Sequence, residues 1–121
     1  MLLYEELSNK VVSAFFRVHN ELKGGLLEAC YHNALFFELK SGGFSVGYNA
    51  PFNVYYQKQQ VGEFYADLVV NNKIIIEIKS VAVLASAHES QLLNYLHISG
   101  CRVGYLVNFQ GQRVVWKRFV V

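Results

Sequence analysis

Little in this chain punctuates or cross-links it. Its 121 residues include one proline, Pro51, and two cysteines, Cys30 and Cys101. A single proline excludes a proline-rich linker architecture. The two cysteines lie far apart, form no metal-ligand spacing and read as buried free thiols rather than a disulfide. No run of like charges exists, and the net charge is only +2. A basic stripe for non-specific nucleic-acid binding is therefore missing, so a site rather than bulk charge would have to hold such a substrate. The longest apolar runs, Ile74-Ile75-Ile76 and Val103-Gly104-Tyr105-Leu106-Val107, fall far short of the ~20 residues of a membrane helix. No basic segment precedes an apolar core near Met1, so no signal peptide is expected and the expected location is the cytoplasm.

What the chain does have is hydrophobic material, 53% of its residues. One domain over residues 1–121 is expected, large enough to bury roughly two thirds of its unfolded surface. Leu7, Val11, Ala14, Phe15, Val18 and Leu22 recur at helical spacing and predict a helix over 4–22, stopped by Gly24-Gly25. A second helix is expected over 26–39, with Tyr31, Leu35 and Leu39 on one stripe and Ser41-Gly42-Gly43 closing it. From Phe44 the period changes to two. Strands are expected at 44–48, 52–57, 62–70 and 73–79, with Pro51 at the start of the second. Ser86-Ala87-His88-Glu89 has the form of a capping box and opens a helix over 87–98, ended by Gly100. Strands at 103–108 and 113–120 complete the order. The class is α/β, a mixed central sheet flanked by helices.

The strand Ile74–Lys79 contains two charges in an otherwise buried run, and these need an explanation. Alternation puts Ile74, Ile76 and Ile78 on one face and Ile75, Glu77 and Lys79 on the other. In the preceding strand Phe64, Ala66, Leu68 and Val70 share one face, and Glu63, Tyr65, Asp67 and Val69 the other. One face of the hairpin is thus expected to be wholly apolar, while the opposite face gathers the charges. A solvated outer face is the simplest account of such charges. A compact metal site is the other, because a divalent cation between two carboxylates offsets the several kcal/mol that burying an unpaired ion would cost. Parity decides whether Asp67 and Glu77 can meet. A two-residue turn at Asn71-Asn72 would put them on opposite faces, whereas the three-residue loop Asn71-Asn72-Lys73 pairs Val70 with Ile74 and Asp67 with Glu77. Asparagine tolerates the left-handed conformation such a loop needs at one position, so the odd-length loop is expected.

Neighbouring helices add polar groups at matching spacing. His88, Gln91 and Tyr95 lie at i, i+3, i+7 on the third helix, with Leu92, Leu93 and Leu96 largely on its other side. Glu28 stands near the start of the second. Taken alone, Glu28 is a solvated helix charge, and the His-Gln-Tyr stripe a rim of satisfied polar groups.

Taken together, these residues resemble a known family. Gly25-Leu26-Leu27-Glu28-Ala29-Cys30-Tyr31 matches the Gly-x-x-Glu-x-x-Tyr signature of the GxxExxY proteins, a group assigned to the PD-(D/E)XK nuclease superfamily. The resemblance continues in order through Gly62-Glu63, Ala66-Asp67-Leu68, Ile76-Glu77-Ile78-Lys79, His88 and Gln91-Leu92-Leu93-Asn94-Tyr95. It runs on through Gly104 to Phe109 and Lys117-Arg118. It departs at Ala66, where the superfamily name has a proline, and at Gly24, where many members have one. The resemblance implies a restriction-endonuclease-like αβββαβ core. Asp67, Glu77 and the main-chain carbonyl of Ile78 would bind a divalent metal, normally Mg2+ with Mn2+ as a substitute. Glu28 would join them directly or through water. Lys79 would orient or deprotonate the attacking water, while His88, Gln91 and Tyr95 would position substrate. The expected partner is nucleic acid, DNA ahead of RNA.

Three functions compete. A magnesium-dependent phosphodiester hydrolase leads, and a nuclease-like binding or regulatory module with little turnover is its chief alternative. Zinc binding through Cys30, His32 or His88 is the weakest, because their spacing fits no structural zinc pattern. Tyr55, Tyr56, Trp116 and Phe119 are expected to be exposed, leaving room for a homodimer.

Overall fold

Helix α1 (Glu5–Leu22) forms where Val11, Ala14, Phe15 and Val18 return every three or four residues, and all four are buried. The computed structural model that shows this describes residues 2–121. Helix α2 (Glu28–Ser41) buries the expected stripe of Tyr31, Leu35 and Leu39. The break between the helices differs from expectation in one detail. Lys23 takes the positive φ (61°) at the end of α1, and of the expected glycine pair Gly25 (91°) but not Gly24 does so. Gly24 serves close packing instead, since a Cβ there would lie 2.2 Å from the Gln110 carbonyl oxygen.

Three strands follow, not the four expected before the third helix. Segments 44–48 and 52–57 are one strand, β1 (Val46–Tyr56), paired antiparallel with β2 (Gln59–Val70). Pro51 sits inside β1, which is tolerated because β1 is an edge of the sheet. Strand β3 (Ile74–Lys79) follows β2, then α3 (Ser86–Ser99), β4 (Val103–Asn108) and β5 (Val115–Val120). Sheet order is β1-β2-β3-β4-β5, with β3 and β4 parallel and every other pair antiparallel. The parallel pair requires a crossover, and α3 supplies it.

The sheet has two covered faces. Under α1 and α2 lie Leu68, Val70, Ile74, Ile76, Ile78, Val103, Tyr105 and Val107. Phe15 meets Tyr105 and Phe109 edge-on, and Tyr31 stacks on Phe109 at 4.8 Å. Under α3 lie Val69, Ile75 and Leu106, met by Leu92, Tyr95 and Leu96. Gly104 lets α3 come close, as a Cβ there would lie 2.8 Å from Leu92 Cδ1. Leu93, expected among the anchors, is 40% exposed.

The expected apolar face of the β2–β3 hairpin is also corrected. Leu68 and Val70 face α1 and α2, but Ala66 and Phe64 pack in the cluster under α3. The same change of side occurs in β1, where Val46 packs on the first cluster and Ala50 and Phe52 on the second. It falls at Asn49 (φ 47°) in β1 and at Asp67, the matching level in β2. A residue in the left-handed region inside a strand breaks strict alternation.

Three smaller expectations fail on packing. Trp116 meets Phe15 at a tilt and Phe16 edge-on, and Phe119 packs beside the cluster under α3, so only Tyr55 and Tyr56 of the four are exposed. Cys30 is exposed and Cys101 half-buried, both free. Helix α3 begins at N-cap Ala85 rather than on a Ser86–Glu89 box; Glu89 instead pairs with Lys117 at 3.0 Å. Among the described residues no helix is long and apolar enough to cross a membrane.

Candidate metal-binding and catalytic site

The β2–β3 loop sets the site. Val70 pairs with Ile74, Val69 with Ile75 and Leu68 with Ile76, so the loop is the three residues Asn71-Asn72-Lys73. Both asparagines, rather than one, take positive φ (52° and 54°), and Lys73 N–H closes the loop on Val70 O at 2.9 Å. The next level of that register is Asp67 and Glu77. There the backbone ladder stops and side chains take over. Asp67 N–H donates to Glu77 Oε2 at 3.1 Å, and Ile78 N–H donates to Asp67 Oδ2 at 2.7 Å. Each carboxylate therefore satisfies a backbone donor on the opposite strand where the two strands part.

Glu77 is 3% exposed. Burial, first, and the neighbouring Asp67 carboxylate, second, push its pKa from an ordinary 4.5 up to about 9; Lys79 opposes this. Two acids held this close retain a proton unless a cation replaces it. A pair of hard oxygen donors, each with one oxygen taken by a backbone N–H, fits a hard divalent cation that completes its shell with water. Among the described residues no three His, Cys, Asp or Glu side chains converge as a ready-made cage. Neither Cys30, His32 and His88 nor Glu28, Asp67 and Glu77 therefore gather into one cluster, and His32 is engaged with the Asp67 carbonyl.

The other expected residues divide. Lys79 follows Glu77 by two positions on the same face, half-buried, and forms none of the ion pairs seen among the described residues. Gln91 and Tyr95 are brought together, Gln91 Nε2 donating to the Tyr95 hydroxyl at 2.9 Å. Burial raises the Tyr95 pKa, the Gln91 bond opposes this, and the Glu77 and Asp67 charges raise it further. Tyr95 thus feels both acids. His88 has a structural role, its Nδ1 accepting the Ala85 N–H at 3.0 Å and capping α3. Glu28 is exposed at the first position of α2.

Two details locate Glu28. The Tyr31 hydroxyl donates to Lys23 O at 2.6 Å and accepts from Leu26 N–H at 3.0 Å, fixing the loop that precedes Glu28. Ser80, directly after Lys79, donates its hydroxyl proton to Leu26 O at 2.7 Å. The start of α2 is therefore tied to the end of β3. The sequence placed Tyr31 on the core stripe and in the Gly-x-x-Glu-x-x-Tyr signature without assigning its hydroxyl this loop contact, and gave no role to the clamp at Asn108. Asn108 is 5% exposed; its Oδ1 accepts Val81 N–H at 3.1 Å and its Nδ2 donates to Val81 O at 2.8 Å. A polar residue ending the buried run Val103–Val107 was the available signal. A cleft of about 430 Å³ lined by His19, Lys23, Gly24, Gln110 and Gln112 borders the α1–α2 loop, but neither acid lines it.

The structure is thus an α/β domain with interlocked acids and a lysine at a strand end. The family model of the PD-(D/E)XK nuclease superfamily matches residues 5–119, and the chain belongs to that superfamily. A solved structure, titled "Crystal structure of SSO0001", is similar in fold, with a TM-score of 0.57 and 22% identity. The match covers 76% of this chain and 52% of that one, so this chain spans about half its length. No curated protein matches.

Proposed function

We propose that this chain is a magnesium-dependent nuclease of the GxxExxY type that hydrolyses phosphodiester bonds in DNA, with manganese able to substitute. The observation that carries the reading is the reciprocal lock of Asp67 and Glu77 at the point where β2 and β3 separate. Asp67, Glu77 and the Ile78 carbonyl would hold the ion, with Glu28 joining directly or through water. A bound divalent ion supplies an acidified water and neutralises charge developing on the phosphate. Lys79 projects from the same face and donates to the attacked phosphate or to the incoming water. Gln91 and Tyr95 form a paired wall beside the acids, with His88 at the head of the same helix, and would position substrate there.

Calorimetric titration with Mg2+ and Mn2+, followed by cleavage of plasmid, single-stranded DNA and RNA with and without EDTA, tests this. Metal binding is expected in the wild type and lost in Asp67→Asn and Glu77→Gln. Binding that persists in both variants overturns the assignment. The net charge of +2 favours a second reading, a nuclease-like module that turns over little without a partner. Intact metal binding with no cleavage in any arm would select it. Exposed Tyr55 and Tyr56 extend the proposal to a homodimer, which light scattering would detect.

A further inference from the structure

We propose that His32 is a positioning residue that fixes Asp67 in the metal-binding geometry and sets helix α2, with Glu28, against it. The inference rests on the site reading above, but its core is a backbone accounting that needs no metal. Asp67 lies outside both ladders. The β1–β2 register passes from Tyr48–Leu68 to Ala50–Ala66, and the β2–β3 register ends at Leu68–Ile76. Asn49, which would face Asp67, has φ 47°. A backbone N–H and C=O left out of a sheet must find other partners. The Asp67 N–H goes to Glu77 Oε2, and its carbonyl oxygen lies 2.9 Å from His32 Nε2. A carbonyl only accepts, so Nε2 carries the proton.

The imidazole is not free to leave. His32 is 9% exposed and stacks on Tyr48 at 4.2 Å with an 11° interplanar angle. Tyr48 in turn donates to Asn33 Oδ1 at 2.6 Å and meets Phe36 edge-on. The ring, carried by helix α2, is thus held against Tyr48 of strand β1. Glu28 stands one helical turn before His32, on the same face and about 6 Å along the axis. One hydrogen bond therefore links the helix carrying Glu28 to the strand carrying Asp67. With Oδ2 held by Ile78 N–H, three contacts orient Asp67. Groups that orient a ligand without touching the ion tune affinity by about 10- to 100-fold.

Three variants and two readouts test it. His32→Phe keeps a ring against Tyr48 but removes the donor; His32→Gln restores a donor near the Nε2 position; His32→Asn places one too short. Amide exchange is measured without metal at Asp67 and Ile78 relative to Leu106, and Mn2+ affinity by calorimetry. Phe and Asn are expected to speed exchange at Asp67 and Ile78 at least about 10-fold over Leu106 and to weaken Mn2+ binding about 10-fold or more, with Gln within about 3-fold of wild type. Wild-type exchange and affinity in His32→Phe would overturn the proposal. So would a neutral ring protonated at Nδ1 in wild-type nitrogen NMR, a measurement that needs no variant. If the exchange pattern holds but wild type binds no Mn2+, the metal-site reading falls and the positioning of Asp67 stands.

Discussion

The two faces of this sheet are built on opposite principles. Under α1 and α2 the contacts are dry and aromatic, Phe15, Tyr31, Tyr105 and Phe109 packing ring against ring. Under α3 the apolar cluster is smaller, and the buried Glu77 stands in the same face of β3 as Ile75. Burying apolar surface stabilises, whereas burying a carboxylate costs free energy unless a proton or cation accompanies it. The first face accounts for folding. The second tolerates an unfavourable group, which is the pattern of a site held ready by stability gained elsewhere.

That contrast can be broken at four places. The largest effect is expected on chemistry. Lys79→Ala should lower cleavage about 100-fold or more while Mn2+ affinity stays within about 3-fold, because the proposed mechanism has the ammonium act on the phosphate rather than the ion. A wild type that cuts DNA and a Lys79→Ala variant that cuts equally well would remove the mechanism.

On the dry face, Phe15→Ala should lower unfolding free energy by about 3–5 kcal/mol in urea titration. It is fully buried and touches three aromatic rings. A loss below about 1 kcal/mol would show that this face is not the main stabilising layer.

Glu77 gives a pH signature with a definite sign. Its folded pKa is raised from 4.5 to about 9, so across that window the folded protein keeps a proton that the unfolded chain has released. Without metal, stability should be highest below the lower value and fall as pH rises, by at most about 1.4 kcal/mol per pH unit. Glu77→Gln should flatten that slope in EDTA, and Mg2+ should oppose it in the wild type. Urea midpoints from pH 5 to 9 check both statements.

The smallest effect is expected at the rim of the second face. The Lys117–Glu89 pair spans 3.0 Å, but the lysine side chain is 56% exposed. Lys117→Ala should change stability by no more than about 1 kcal/mol. A larger loss would mean that α3 depends on this contact more than on Leu92 and Leu96.

Much of the site was legible because it depends on short-range order. Asp67, Glu77 and Lys79 stand out as charges in apolar strands, and the odd-length loop Asn71-Asn72-Lys73 sets the register that runs from Val70–Ile74 to Leu68–Ile76, one level short of the two acids. The break in alternation at Asn49 and Asp67 was not legible, since it depends on a backbone angle that no local pattern of side chains marks. His32 was read only as a weak zinc-ligand candidate, and its actual contact was not legible for a related reason. Its partner is a main-chain carbonyl 35 residues away, and carbonyls carry no residue identity. Pro51 misled for the opposite reason: a strong local breaker is harmless in a strand with one free edge.

The sequence by itself determined the helices α1 and α2, the apolar β3 and β4, and the three-residue loop that pairs Val70 with Ile74. These follow from periodicity and loop length, which act over a few residues. Only the tertiary structure decided that Asp67 leaves both ladders, that Gly24 must yield to the Gln110 carbonyl, and that His32 and Glu77 take up the backbone groups so released. Those outcomes rest on backbone atoms meeting across the fold, where the demand that every buried polar group find a partner overrides local preference.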